Sequence, residues 1–132
     1  MCIGLSNAMA DDPYPTLRTF WPYYVSEHLS PLNRVLHAIG SLMALTWLGL
    51  AIGLQQPILL LPALVNGYAF AWVGHFFVEK NRPATFKYPF KSFVCDWLLL
   101  SMTITGRIGR EIERLDAAGV LPKKRAPEPQ SV

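Results

Sequence analysis

The sequence predicts an all-α protein built on a membrane helical hairpin, and three observations support that prediction. No Asp, Glu, Lys or Arg occurs in the forty-four residues from Val35 to Val78. A cluster of turn-forming residues, Gly53–Pro57, divides this run into two halves, about 35–54 and 58–78. Each half supplies about twenty residues, the length that a helix needs to cross a hydrocarbon core of about 30 Å.

A soluble helical hairpin inside a bundle is the alternative. Neither half shows the polar face that a surface helix needs, so a membrane hairpin fits better. Small residues recur at three- to four-residue intervals in both halves, which allows two membrane helices to approach closely. These residues are Gly40, Ser41, Ala44 and Gly49 in the first half, and Ala63, Gly67, Ala71 and Gly74 in the second.

The basic residues flank the apolar run in a pattern typical of membrane topology rather than of nucleic-acid binding. They are Arg18 and Arg34 before the run, and Lys80, Arg82, Lys87 and Lys91 after it. Both ends of a hairpin lie on one side of the bilayer, and basic residues favour the cytoplasmic side. We expect an integral membrane protein, in the inner membrane if the source is bacterial, with both ends of the hairpin cytoplasmic. The sequence leaves a homo-oligomer open.

Two further helices are predicted beside the hairpin. The aromatic segment from about Thr16 to Leu29 indicates a short N-terminal interfacial helix, with its aromatic rings at headgroup depth. Ser30 and Pro31 then suit the N-cap and first residue of the first spanning helix. A C-terminal helix over about 92–118 is expected to be partly membrane-associated, and a third full span is the alternative.

The domain organisation follows from the ends of these elements. We expect a single membrane domain over 13–119. Residues 1–12 are expected to be disordered or left by an expression vector. Residues 120–132 are basic and Pro-rich, which is typical of a disordered tail.

The histidines fall at related positions on the predicted hairpin. His37 lies nineteen residues before Gln56, and His75 lies nineteen residues after it. Both should therefore stand about 28 Å from the turn, at 1.5 Å per residue. The turn at Ser30 would fold His28 back toward the same level.

Three imidazoles at one depth favour a metal site that is completed or oriented by carboxylates. The candidate metal ligands are His28, His37 and His75. Glu79 lies four residues after His75, on the same helix face, and Glu27 precedes His28. Both are candidate carboxylates, bound to the metal or just outside its ligand shell. Residue types alone do not choose between iron and zinc.

Two long motifs resemble a known family. The first is FWPYYVSEH (Phe20–His28) followed by PLNRVLHAIG (Pro31–Gly40). The second runs from Gly67 to Pro89, GYAFAWVGHFFVEKNRPATFKYP. Together they resemble a family of small membrane proteins, formerly a domain of unknown function, that includes the fungal Fe(II)-dependent 2-hydroxy fatty acid dioxygenase of phytosphingosine degradation.

This resemblance implies that His28, His37 and His75 bind Fe(II), with Glu79 as a catalytic carboxylate or ligand. It implies O2 and a lipid-derived 2-hydroxy fatty acid as substrates, with the chain shortened by one carbon and the acyl tail along the hairpin. Arg34 or Arg82 can pair with the substrate carboxylate through the guanidinium fork.

A non-catalytic reading stays open beside this one. In it, the protein is an integral membrane lipid-binding or assembly protein. The histidines, Glu79 and Arg34 then form a structural network that fixes the hairpin.

Overall fold

The computed structural model describes residues 12–123, and within that range it contains five α-helices. They are α1 (Leu17–Ser26), α2 (Pro31–Gly53), α3 (Leu60–Val73), α4 (Pro89–Ile104) and α5 (Ile108–Ala117). The predicted all-α class is confirmed. The predicted terminal segments lie outside the described residues, apart from Asp12 and 120–123.

The two long apolar halves form the predicted hairpin. Helix α2 ends at Gly53, and Gln55 adopts a left-handed φ of 54° at the turn. A 3-10 turn (Pro57–Leu59) leads into α3, and a π turn (Gly74–Glu79) continues it. The helices pack closely at Gly40, where an added Cβ would lie 2.9 Å from Phe70 Cβ and 3.1 Å from the Gly67 carbonyl oxygen. Glycine at this position therefore sets how closely the two helices pack.

Helix α1 lies against the C-terminal half of the chain. A reciprocal capping box between Thr16 and Thr19 starts the helix. Phe20, Trp21 and Tyr24 are buried in a core shared with α4 and α5. The expected position of these rings at headgroup depth stays a prediction. Large aromatic side chains contribute most when they are buried in protein, and here the small core depends on them.

The C-terminal region departs from the prediction of one helix over about 92–118. Helix α4 ends at Ile104 and α5 begins at Ile108. Between them Gly106 has a φ of +67°, the Gly106 amide donates to the Thr103 carbonyl, and the Arg107 amide donates to the Met102 carbonyl. This is the Schellman pattern that ends a helix. At 16 residues, α4 is also shorter than the roughly 20 residues of a membrane span.

Two helical segments, Pro31–Gly53 and Pro57–Glu79, are long and apolar enough to cross a membrane. Only 17% and 11% of their most apolar windows are buried within the chain. A core helix of a soluble protein would be mostly buried. The hairpin instead presents leucines, isoleucines and aromatic rings outward.

Candidate metal centre

Three imidazole rings meet at the open end of the hairpin. His28 follows α1, His37 lies near the start of α2, and His75 lies in the π turn after α3. The Nε2 atom of His37 lies 3.2 Å from the Nε2 atoms of both His28 and His75. One ligand atom from each ring lies within 4.8 Å of the others, and all three side chains are buried. The expectation that His37 and His75 share one depth is therefore confirmed.

The rings of His28 and His75 are each held through the nitrogen that faces away from this meeting point. His28 Nδ1 lies 2.7 Å from the Tyr24 carbonyl oxygen, which can only accept a hydrogen bond. His75 Nδ1 lies 2.8 Å from Asn81 Oδ1, while Asn81 Nδ2 donates to the Glu27 carbonyl. In a neutral ring the proton is then on Nδ1, and Nε2 carries the lone pair.

The third ring faces a carboxylate. His37 Nδ1 lies 3.7 Å from Asp96 Oδ1, and the Tyr24 hydroxyl donates to that same oxygen. Burial raises the pKa of Asp96 to about 6, against the lowering effect of the Tyr24 hydrogen bond. Asp96 is therefore mostly a carboxylate at pH 7 and favours a proton on His37 Nδ1.

Two of the three pairs of Nε2 atoms have spacings that fit a divalent metal ion. Two nitrogens bound at about 2.0–2.1 Å to one ion are about 3.0 Å apart at a right angle and about 3.4 Å apart at the tetrahedral angle. The two Nε2 distances of 3.2 Å lie between these values. Burial, followed by the neighbouring rings of His37 and His75, holds the pKa of His28 well below its usual range, which keeps this ligand neutral. Three converging lone pairs with an acceptor behind each ring are typical of a histidine metal site.

The π turn gives His75 its position. It spans Gly74–Glu79 and ends at Lys80, which has a left-handed φ of 55°. Asn33 Oδ1 lies 1.9 Å from where a Cβ on Gly74 would be, so the side chain of Asn33 fits only against a glycine. Such π turns frequently occur at functional sites because they redirect a side chain within a helix.

A groove of about 790 Å³, its open mouth included, runs from the three histidines along the hairpin. The polar end contains Tyr24, Asp96 and the imidazoles. The rest of the lining is predominantly apolar and comes from α2, α3, α4 and the 83–85 segment.

A family model described as "2-hydroxy-palmitic acid dioxygenase Mpo1-like" matches residues 14–108. The chain belongs to the Mpo1-like family. The match includes all three histidines, Asn81 and Asp96, and it confirms the resemblance given by the two sequence motifs. Comparison with curated proteins and with solved structures found no match.

The other residues predicted for this Mpo1-like site do not line the groove. Arg34 Nη1 donates to the carbonyls of His28 and Leu29, at 2.9 and 2.6 Å. Glu79 Oε1 accepts a 2.5 Å hydrogen bond from the Ser30 amide. Glu27 contributes its backbone carbonyl to Asn81, and Arg82 is exposed. The roles first given to these four residues stay predictions.

Three residues that orient the imidazoles were missed from sequence: Tyr24, Asn81 and Asp96. Tyr24 lies four residues before His28, a spacing at which the backbone carbonyl faces the later ring on a helix. Asp96 is the acidic residue of an otherwise apolar segment, 92–105, which was a usable signal. Asn81 gave no such signal, because its contact depends on the π turn.

Proposed function

We propose that this Mpo1-like protein is a membrane-embedded, non-haem Fe(II) dioxygenase that shortens a lipid-derived 2-hydroxy fatty acid by one carbon. The single observation that carries the proposal is the convergence of three buried Nε2 atoms beside an apolar groove. Membership of the 2-hydroxy-palmitic acid dioxygenase Mpo1-like family supports the choice of reaction and of substrate class.

The chain's own residues prepare this site. His28, His37 and His75 would hold a metal ion through their Nε2 atoms at the polar end of the groove. Tyr24 and Asn81 lie within hydrogen-bond distance of the Nδ1 atoms of His28 and His75, and the Asp96 carboxyl group lies 3.7 Å from His37 Nδ1. Fe(II) bound there supplies the reactivity toward O2 that amino-acid side chains lack. Zinc, the alternative metal, would not support this redox chemistry.

The overall reaction balances without a further reductant. A 2-hydroxy acid and O2 give the acid one carbon shorter, CO2 and water, so the substrate supplies all four electrons that reduce O2. We expect the protein to consume O2 with a 2-hydroxy acid alone, without an added oxo-acid or electron donor.

The hairpin is proposed to lie in the bilayer with both ends cytoplasmic. Its long helices expose apolar side chains all round, and a bilayer covers such a surface. The histidine site then lies near the interface, where a fatty acid places its carboxylate while the acyl chain stays in the hydrocarbon phase.

The experiment is metal loading followed by O2 uptake. Detergent-purified wild type and the variants His28→Ala, His37→Ala and His75→Ala are loaded anaerobically with Fe(II), and bound iron is measured. We expect one iron per chain in wild type and a large loss in each variant. Thr46→Ala, an exposed change on α2, is the control.

O2 uptake is then measured with 2-hydroxypalmitate and, as the control substrate, with palmitate. Uptake with the first and not with the second supports the dioxygenase. Stoichiometric iron in all three histidine variants, or no uptake with any 2-hydroxy acid, contradicts it.

A structural role for Arg34 and Glu79 supports the non-catalytic alternative. Both side chains bind backbone groups of the 28–30 segment and so tie it to the hairpin. Arg34→Lys distinguishes a structural role of this residue from a role in binding the substrate carboxylate. A lower melting temperature with unchanged KM indicates a structural residue, whereas a raised KM at an unchanged melting temperature indicates a contact with the substrate carboxylate.

A further inference from the structure

The floor of the groove on α3 consists of small residues at successive helical turns. Ala63, Gly67 and Ala71 precede His75 at exact four-residue steps, and all line the groove. Residues four apart lie on one helix face, so this face leads directly to the histidines. On the facing helix, Ser41 and Ala44 continue from His37 in the same direction.

The rim of the groove is built differently from its floor. Tyr68 and Trp72 of α3 form one side, and Phe93 and Trp97 of α4 form the other. All four side chains are at least 36% exposed, so the rim is not covered by the rest of the chain. On the proposed membrane placement, this exposed rim faces lipid.

We propose that the groove holds the single acyl chain of the substrate, and that Ala71, Gly67 and Ala63 set the longest chain that fits. This inference rests on the proposed function and specifies its substrate preference. The occupant follows from the lining, which changes from imidazole and carboxylate at one end to apolar side chains over the remaining length. A fatty acid has the same arrangement of a polar head on an apolar chain.

The length of the groove floor predicts how many methylene groups of an acyl chain fit along it. The twelve residues from Ala63 to His75 correspond to about 18 Å at 1.5 Å per residue. Each four-residue step is about 6 Å, or about five methylene groups of an extended chain with carbon–carbon bonds of about 1.5 Å. A larger side chain at each position should therefore block the groove at a different distance from the polar end.

The test compares Ala71→Leu, Gly67→Ala and Ala63→Leu in the full-length protein. An added Cβ on Gly67 would meet Ala44 Cβ at 3.7 Å, an ordinary contact, so this variant is expected to fold. Two controls match these changes chemically. Ala69→Leu lies on the exposed face of α3, and Gly49→Ala has open space around the added methyl.

Binding is measured without turnover, under anaerobic conditions, by displacement of a fluorescent fatty acid with saturated 2-hydroxy acids of increasing chain length. We expect Ala71→Leu to weaken the binding of every acid and Gly67→Ala to weaken the binding of medium and long ones. Ala63→Leu should weaken the binding of only the longest acids. Each loss of affinity should be at least tenfold. Both controls should keep the wild-type profile. Identical chain-length profiles in Ala63→Leu and Ala69→Leu overturn the proposal.

The two proposals fail in different ways. A chain-length profile that shifts as described while O2 uptake is absent supports the groove assignment and contradicts the dioxygenase. O2 uptake in which Ala71→Leu, Gly67→Ala and Ala63→Leu all keep the wild-type chain-length preference contradicts the groove assignment and leaves the dioxygenase in place.

Discussion

The hydroxyl of Tyr24 donates to Asp96 Oδ1, the carboxylate oxygen that faces His37 Nδ1. The carbonyl of the same tyrosine holds His28 through its Nδ1 atom, and the tyrosine ring stacks on the His28 ring at 4.2 Å. One residue of α1 therefore contacts the His28 ring directly and reaches the His37 ring of α2 through Asp96. The small aromatic core that buries α1 is thus directly connected to the metal centre.

Tyr24→Phe should weaken metal binding while preserving the fold. The change removes the hydrogen bond to Asp96 and leaves the ring stacked on His28. We expect a loss of about 1.5–3 kcal/mol in stability, from the hydrogen bond to a charged group. We also expect metal affinity to fall about tenfold, since partners of metal ligands typically contribute 10–100-fold. Metal titration and thermal unfolding in detergent measure the two effects.

The control for this variant is Tyr23→Phe, the neighbouring tyrosine, whose ring stacks on Tyr14. It should leave metal affinity unchanged. Equal metal affinity in Tyr24→Phe and wild type would show that the hydroxyl does not position His37 through Asp96.

Substitutions at Asp96 should have graded effects on metal affinity. Asp96→Asn keeps an oxygen that can accept from Tyr24 and from His37 but loses the charge. Asp96→Ala removes both the accepting oxygen and the charge. We expect the alanine variant to lose more affinity than the asparagine variant, within the 10–100-fold range that such partners contribute. The absorption spectrum of the Co(II)-loaded protein should shift in both, because the orientation of His37 changes.

Asp116→Asn is the matched control, because Asp116 is exposed on α5. Its Co(II) spectrum should superimpose on that of wild type. A spectrum of Asp96→Ala that also superimposes would mean that Asp96 does not orient a ligand.

Gly74→Ala should destabilise the hairpin through a clash with one residue. The added methyl would lie 1.9 Å from Asn33 Oδ1 and 2.9 Å from Asn33 Cγ. Asn33 is fully buried, so its side chain has to move, at a cost of about 1–3 kcal/mol. Gly49→Ala, with open space around the methyl, should be neutral or stabilising because alanine favours helix.

Removing the Asn33 side chain tests this explanation directly. In an Asn33→Ala background the clash is gone, so Gly74→Ala should cost much less than in wild type. The thermal unfolding of the four proteins forms a double-mutant cycle. Additive effects would place the cause of the destabilisation elsewhere in the π turn.

The hairpin and the meeting of His37 with His75 were predictable because both depend on helical rise and on a clear turn. Equal spacing from Gln56 gives equal depth whatever the details of packing. The residues that contact the Nδ1 atoms of the imidazoles were harder to predict from the sequence. Asn81, for example, reaches His75 only because of a π turn, and that turn leaves no pattern in the composition. We expected Arg34 and Glu79 to take part in the chemistry because they are charged, yet both side chains bind the backbone of the 28–30 segment.

The predicted continuous helix over 92–118 was wrong because hydrophobic periodicity outweighed a local signal. Ile108 and Leu115 are buried against the rest of the chain. Thr105 and Gly106 nevertheless interrupt the helix, and glycine one residue after a helix end is a recognised stop signal. That signal was visible in the sequence.

The break between α4 and α5 depends on the left-handed backbone conformation of Gly106, and this dependence can be tested. Gly106 has a φ of +67° and nothing within 4 Å of an added Cβ, so Gly106→Ala introduces no clash. It does force alanine into the left-handed region, at a cost of about 1–2 kcal/mol. Gly109→Ala, three residues later inside α5, also meets open space but has helical geometry, so it should be neutral or stabilising. Thermal unfolding of both variants separates backbone strain from side-chain packing. A Gly106→Ala protein as stable as Gly109→Ala would mean that α4 and α5 join into one helix after all, as the hydrophobic pattern alone predicts.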